Sequence, residues 1–195
     1  MIPMGESEIK WSQFLSGDKE AYCWLYNTYV QILYAYGLRF TTDGEIIKDC
    51  IQDIFTHLYK DRNRLMMPDN VKVYLLVSLK NNLQRALNRE SIYDSIQPED
   101  IHFSLEPTVE EQMIDQEQSD SRQKKIDEML SSLPPRQKEI LYYRFIQQLS
   151  MDEIEVLMTL NYQSAQNLIQ RALKKLRETY GDMGVGLLIF SAFIN

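Results

Sequence analysis

Glycine and proline are scarce, seven and six among 195 residues. An all-β sandwich or barrel places a turn signal about every 8 to 12 residues, so this shortage excludes such a fold and leaves long uninterrupted stretches that suit helices. Cysteine is scarcer still. Cys23 and Cys50 stand far apart without a CxxC or a Cys/His companion, which signals neither a zinc site nor a disulfide framework. Met1 to Lys10 carries Glu6 and Glu8 where a signal peptide would have an apolar run, so a cytoplasmic location is expected. Hydrophobic residues at 44% and charged residues at 25% exclude both wholesale disorder and a polytopic membrane protein. Positive charge is the last shortage. Lys and Arg number 21 against 28 Asp and Glu, a net charge of −7 that at face value argues against a nucleic-acid partner.

Resolved by segment, that deficit is local. Met1 to Glu90 carries 11 basic and 11 acidic residues, Ser91 to Glu128 carries 3 against 11, and Met129 to Glu178 carries 7 against 5. The acidic stretch holds Pro98, Pro107 and scattered polar residues, the composition of a solvated linker. The expected organisation is all-α, with two small helical domains: a first unit over 8–92, a linker over 93–125, a second unit over 126–179 and a hydrophobic tail over 180–195.

From Trp11 to Arg89 the apolar spacing is helical. Trp11, Phe14 and Leu15 precede Gly17, and Ala21, Leu25, Ile32, Leu33 and Tyr36 continue one face, as one long helix or two abutting ones. Thr41-Thr42-Asp43-Gly44 signals a turn before a helix with Ile47, Ile51, Ile54, Phe55 and Leu58, and Met67-Pro68-Asp69-Asn70 signals another before Val73, Leu76, Leu79 and Leu83. Three such stripes can close a small bundle. On the middle helix Asp49, Asp53 and His57 recur every four residues, which suits either the start of a metal site or a polar surface stripe, and the second Glu-x-x-His copy of a bundle carboxylate protein is missing. The last helix ends KNNLQRALNR, whose amides and guanidinium groups suit base edges and phosphates or an ordinary solvated face.

Leu133 to Glu178 is more specific. Pro134 and Pro135 open a helix where a missing N–H is harmless, and Ile140, Leu141 and Phe145 give it an apolar stripe. Ser150 and Glu153 form a capping-box signature before Ile154, Leu157 and Met158. Thr159-Leu160-Asn161 is a short turn whose Asn161 can cap a following helix with Ala165, Leu168, Ile169, Ala172 and Leu176 inward. A capped helix, a three-residue turn and a second helix make a helix-turn-helix. The outward positions Gln163, Ser164, Gln166, Asn167, Gln170, Arg171 and Lys174 run from amides to cations, which suits major-groove base edges followed by phosphates.

These motifs, SGDKEAYCWLYNTY, KDCIQDIFTHLY and VYLLVSLKNNLQRALNR before the linker and LPPRQKEILYYRF…LSMDEI…NYQSAQNLIQRALKKLRE after it, resemble those of bacterial RNA polymerase sigma factors of the sigma-70 family, in the extracytoplasmic-function group that keeps only regions 2 and 4. The resemblance implies a transcription initiation factor that binds core RNA polymerase and promoter DNA, with no catalysis and no cofactor, and with a possible anti-sigma or other recruiting partner. It implies that Asp49, Gln52, Asp53, Phe55 and Leu58 dock on the polymerase, so that the carboxylate stripe is an interface and not a metal site. It further implies that Tyr74, Lys80, Asn81, Gln84, Arg85 and Asn88 capture the non-template strand of the minus-10 element. Arg136, Gln163, Ser164, Gln166, Asn167, Gln170, Arg171 and Lys174 then contact the minus-35 element, and the acidic linker threads toward the RNA exit path.

The chain departs from the family pattern in three places. Thr159 takes a turn position that is commonly Gly, so a left-handed backbone there would be strained. Leu168 and Gln166 stand where many relatives have basic residues, which predicts weak DNA affinity without polymerase. Beyond Glu178, Gly184 to Ile194 is apolar but too short to span a bilayer, which takes about 20 residues; it is expected either to dock or to complete the C-terminal core. A stand-alone helix-turn-helix regulator and a metal-dependent enzyme on the first bundle are the competing function classes.

Overall fold

The computed structural model describes residues 5–90, 103–104 and 129–191. The chain divides into two compact units, residues 1–101 and 102–195, and among the described residues all regular structure is helical. The first unit holds α1 (Glu6–Leu15), α2 (Lys19–Gly37), α3 (Gly44–Asp61), a 3-10 turn at Arg62–Arg64, and α4 (Val71–Glu90). The sequence left one long helix or two at its start. Gly17 decides for two, because its φ of 104° is a corner that an L side chain rarely adopts.

Each later helix begins at a side-chain cap. Asp18 accepts from the Glu20 and Ala21 N–H groups at 2.8 and 3.3 Å, Asp43 from Glu45 and Ile46 at 2.9 and 3.2 Å, and Asn70 from Val73 at 3.1 Å. These bonds satisfy N–H groups that have no partner inside the helix. Trp11, Phe14, Leu25, Leu33, Ile47, Leu75, Leu76, Leu79 and Leu83 are almost wholly withdrawn from water and form the core between the helices. α2 and α3 meet at Gly37, where an added Cβ would lie 2.6 Å from Ile47 Cγ2.

The second unit contains α5 (Pro135–Leu141), a π-helical turn (Tyr142–Ile146), α6 (Met151–Met158) and α7 (Tyr162–Ser191). Pro135 occupies the first turn of α5, as the Pro134-Pro135 pair predicts. The Ser150 and Glu153 capping box is complete, with side chain to backbone bonds of 3.3 and 2.7 Å in the two directions. Tyr142 and Tyr143, which open the π turn, are both buried; Gln147 N bonds to Tyr142 O in the π pattern, and beyond the turn Leu149 N reaches Tyr143 O. Most of the expected linker over 93–125 lies outside the described residues. Phe103 is an exception that corrects its reading as solvated spacer: it is 2% exposed and packs its ring on Tyr142 and Tyr143 at 5.2 and 6.2 Å. The tail residues 192–195 also lie outside the described residues. Up to Ser191 the backbone is helical, turned at Gly181 (φ 70°).

Candidate nucleic-acid and protein interfaces

α3 turns one face to the core and another to solvent. Ile47, Ile51, Ile54, Phe55 and Leu58 are buried, whereas Asp49, Gln52 and Asp53 are exposed, as is His57. Phe55 and Leu58, expected at the polymerase interface with Asp49, Gln52 and Asp53, are buried in the free chain. Phe55 is 2% exposed, closing on Tyr22 and Tyr26 at 6.1 and 5.0 Å, and Leu58 is 3% exposed. Both continue the apolar stripe from Ile47 at helical spacing, so their side chains serve the bundle, and only the two carboxylates and the amide face outward. Burial pushes the Cys50 thiol up, and the nearby Asp53 and Asp49 carboxylates push the same way. Among the described residues, no group of three or more His, Cys, Asp or Glu is arranged to hold a metal.

On α4 the spacing of four, three, four and three lines up Tyr74, Ser78, Asn81, Arg85 and Asn88 along one face. Lys80 and Gln84 lie on the flank of that stripe, so the six residues expected at a strand-binding surface are not all on one line. Arg85 is held by its own helix, donating to Asn82 Oδ1 at 2.8 Å and to the Asn81 carbonyl at 3.2 Å. Beside the stripe, α3 and α4 enclose a cleft of about 270 Å³ lined by Ile54, His57, Leu58, Asp61, Leu65, Tyr74, Ser78, Asn82 and Arg85. Ser78, one helical turn from Tyr74, is the wall residue that sequence reasoning passed over; the four-residue spacing was its signal. Tyr74 is half-buried and meets Trp11 edge-on. Burial pushes its hydroxyl up, partly offset by a hydrogen bond with Ser78.

In the second unit, α6, the turn and α7 form the expected helix-turn-helix. Thr159 adopts φ 52°, ψ 49°, the left-handed conformation anticipated for a residue in a glycine-type position. Asn161 Oδ1 accepts from Ser164 N at 2.8 Å and caps α7. Ala165, Ala172 and Leu176 are buried, while Gln163, Asn167, Gln170, Arg171 and Lys174 are exposed and Ser164 and Gln166 half-buried. Asn167, Gln170, Arg171 and Lys174 line one shallow surface. Gln163 donates to Asn167 Oδ1 at 3.1 Å, an exposed pair that duplex edges can replace. Arg136 is exposed at the start of α5.

Residues 25–92 match the model of sigma-70 region 2, and residues 123–176 match that of sigma-70 region 4, together more than half of the chain and in the family's order. The chain belongs to the sigma-70 family. Its pairing of regions 2 and 4 is that of the extracytoplasmic-function group. A sigma-70 factor binds core RNA polymerase and recognises promoters, and it is not itself a catalyst. Solved structures share the fold. CnrH, solved in complex with the cytosolic domain of CnrY, is 16% identical with a TM-score of 0.57, and the match covers 89% of this chain and 96% of that one. The sigma factor RpoE, in co-crystals with the anti-sigma factor NepR from Bartonella quintana, is 17% identical with a TM-score of 0.54, covering 78% and 92%. No curated protein sequence matches the chain. Among the described residues of this sigma factor, no helix is long and apolar enough to cross a membrane.

Proposed function

We propose that this sigma factor docks on core polymerase through Asp49, Gln52 and Asp53 of α3, captures the melted minus-10 strand on α4, and reads minus-35 duplex with the start of α7. The observation that carries the reading is the α4 stripe: an aromatic ring, a hydroxyl, amides and a guanidinium at helical spacing, bordering a cleft of about 270 Å³. Unstacked bases bind by stacking and by edge hydrogen bonds, with cations on the backbone, and this set supplies each. Tyr74, Asn81, Arg85 and Asn88 form the centre of that surface, with Lys80 and Gln84 at its edge. Phe55 and Leu58 support α3 from beneath.

On α7, Gln163, Ser164, Gln166 and Asn167 meet base edges, and Gln170, Arg171 and Lys174 continue toward phosphates, with Arg136 as an outlying phosphate contact. The acidic stretch between the units follows the polymerase's nucleic-acid path, and the factor works in the cytoplasm beside its polymerase. An anti-sigma protein is a further partner, by analogy with the RpoE–NepR complex.

Core-polymerase affinity and promoter opening test the assignment separately. D49K/D53K is expected to weaken core binding by at least about tenfold, through reversal of two outward charges at one interface, with an unchanged unfolding midpoint. Arg85→Ala is expected to leave core binding intact and to reduce promoter opening. Full core binding by D49K/D53K would remove α3 from the interface, and failure of the wild-type chain to bind core would overturn the reading as a whole.

A further inference from the structure

Trp11 lies outside the residues matched to region 2, yet it reaches the strand-capture surface from behind. Its side chain is 0% exposed. The indole Nε1 donates to the Met66 carbonyl at 3.2 Å, and the ring meets Tyr74 with centroids 5.3 Å apart and planes at 71°. One buried group therefore grips both the first turns of α4 and the irregular segment that precedes it. That segment, Leu65 to Asn70, has no regular secondary structure and contains Pro68, which has no N–H to give. Its carbonyl at Met66 is drawn inward while the Met66 side chain is left 84% exposed and Met67 39% exposed. Leu65 and Tyr74, on either side of the grip, both line the cleft beside the stripe.

We propose that Trp11 is a positioning residue for minus-10 strand capture, holding the Tyr74 ring and the Leu65 to Asn70 segment in the geometry that an unstacked base meets. The proposal rests on the reading of α4 given above. A ring and a loop that are already fixed need not be ordered when the strand arrives, and the ordering they avoid appears as affinity. α1 thereby becomes part of promoter recognition without touching DNA.

The test uses full-length protein assembled with core polymerase. Its probe is a labelled single-stranded oligonucleotide selected from a random pool by the wild-type holoenzyme. Trp11→Phe keeps an apolar ring and removes the indole donor. Ile47→Val, in the core at the Gly37 contact and remote in sequence from the segment, supplies a packing control. W11F is expected to bind core as wild type does and to bind the probe about fivefold more weakly, the size of one lost hydrogen bond and its ordering. I47V is expected to lower the unfolding midpoint while leaving probe affinity within about twofold. W11F/Y74A should bind the probe more weakly than Y74A alone, because the Met66 bond is lost independently of the Tyr74 ring. Wild-type probe affinity in W11F alongside a weakened Y74A overturns the proposal alone, as does an equal loss in I47V. Wild-type affinity in Y74A overturns the α4 reading and carries the proposal down with it.

Discussion

Thr159 holds φ 52° and ψ 49° between the two helices of the helix-turn-helix. A β-branched residue in this region brings its Cβ against the following carbonyl, at a cost of about 1–2 kcal/mol. The turn keeps it there because the bonds around it are good: Thr159 N–H and Leu160 N–H both reach the Glu155 carbonyl, the second at 3.0 Å. The Thr159 side chain is exposed, so glycine would relieve the strain and lose little contact. After the extra chain entropy of glycine is subtracted, Thr159→Gly is expected to stabilise the second unit by about 1 kcal/mol. Urea unfolding followed on that unit checks it, and a neutral or destabilised variant would show that the threonine is not strained. The same exposure means that the threonine is not held by burial, and the structure offers no stabilising contact that would explain its presence.

α7 shows how one helix divides its labour. Ala165, Ala172 and Leu176 bury one side, while Asn167, Gln170, Arg171 and Lys174 share the other. Lys174 is only loosely paired, 3.8 Å from Glu178 with both side chains largely exposed, so it can exchange that carboxylate for a phosphate at little loss. Replacing Arg171 and Lys174 by Ala is expected to weaken duplex binding by the holoenzyme similarly for all minus-35 sequences and to lower the slope of log affinity against log salt by about 1 per residue. Affinity measured across a salt series decides this, and a sequence-dependent loss with an unchanged slope would mean base contact instead.

Elements of this kind were legible because their signals are short-range. The Ser150–Glu153 box, the Asn161 cap and the Asp43 and Asn70 starts each involve residues two or three apart. Other features depend on distant partners. Phe103 is buried by tyrosines about 40 residues further along. A motif names positions and not the side of the helix on which they fall, so the burial of Phe55 and Leu58 is read from the apolar stripe that starts at Ile47 and not from the motif. Trp11 was legible as core, whereas its bond to Met66, 55 residues away, was not.

At the scale of the whole molecule, the acidic total is a sum over unlike parts: a first unit of balanced charge, an acidic stretch and a second unit of local positive balance. On the proposed reading, a factor built this way relies on polymerase to bring α4 and α7 to the promoter, and the salt series uses holoenzyme for that reason. The units differ in one more respect. Both cysteines fall in the first, Cys23 exposed on α2 and Cys50 buried on α3 with its thiol pushed up by burial, and the second has none. A thiol reagent reacts through the thiolate of an accessible sulfur, so the native protein is expected to take up one equivalent quickly, at Cys23. The second uptake waits for the first unit to open, and mass spectrometry of peptides quenched over time would follow it. Equal rates at the two sites would contradict the buried placement. The chain thus carries its own clock for the breathing of its first unit, silent to whatever happens in the second.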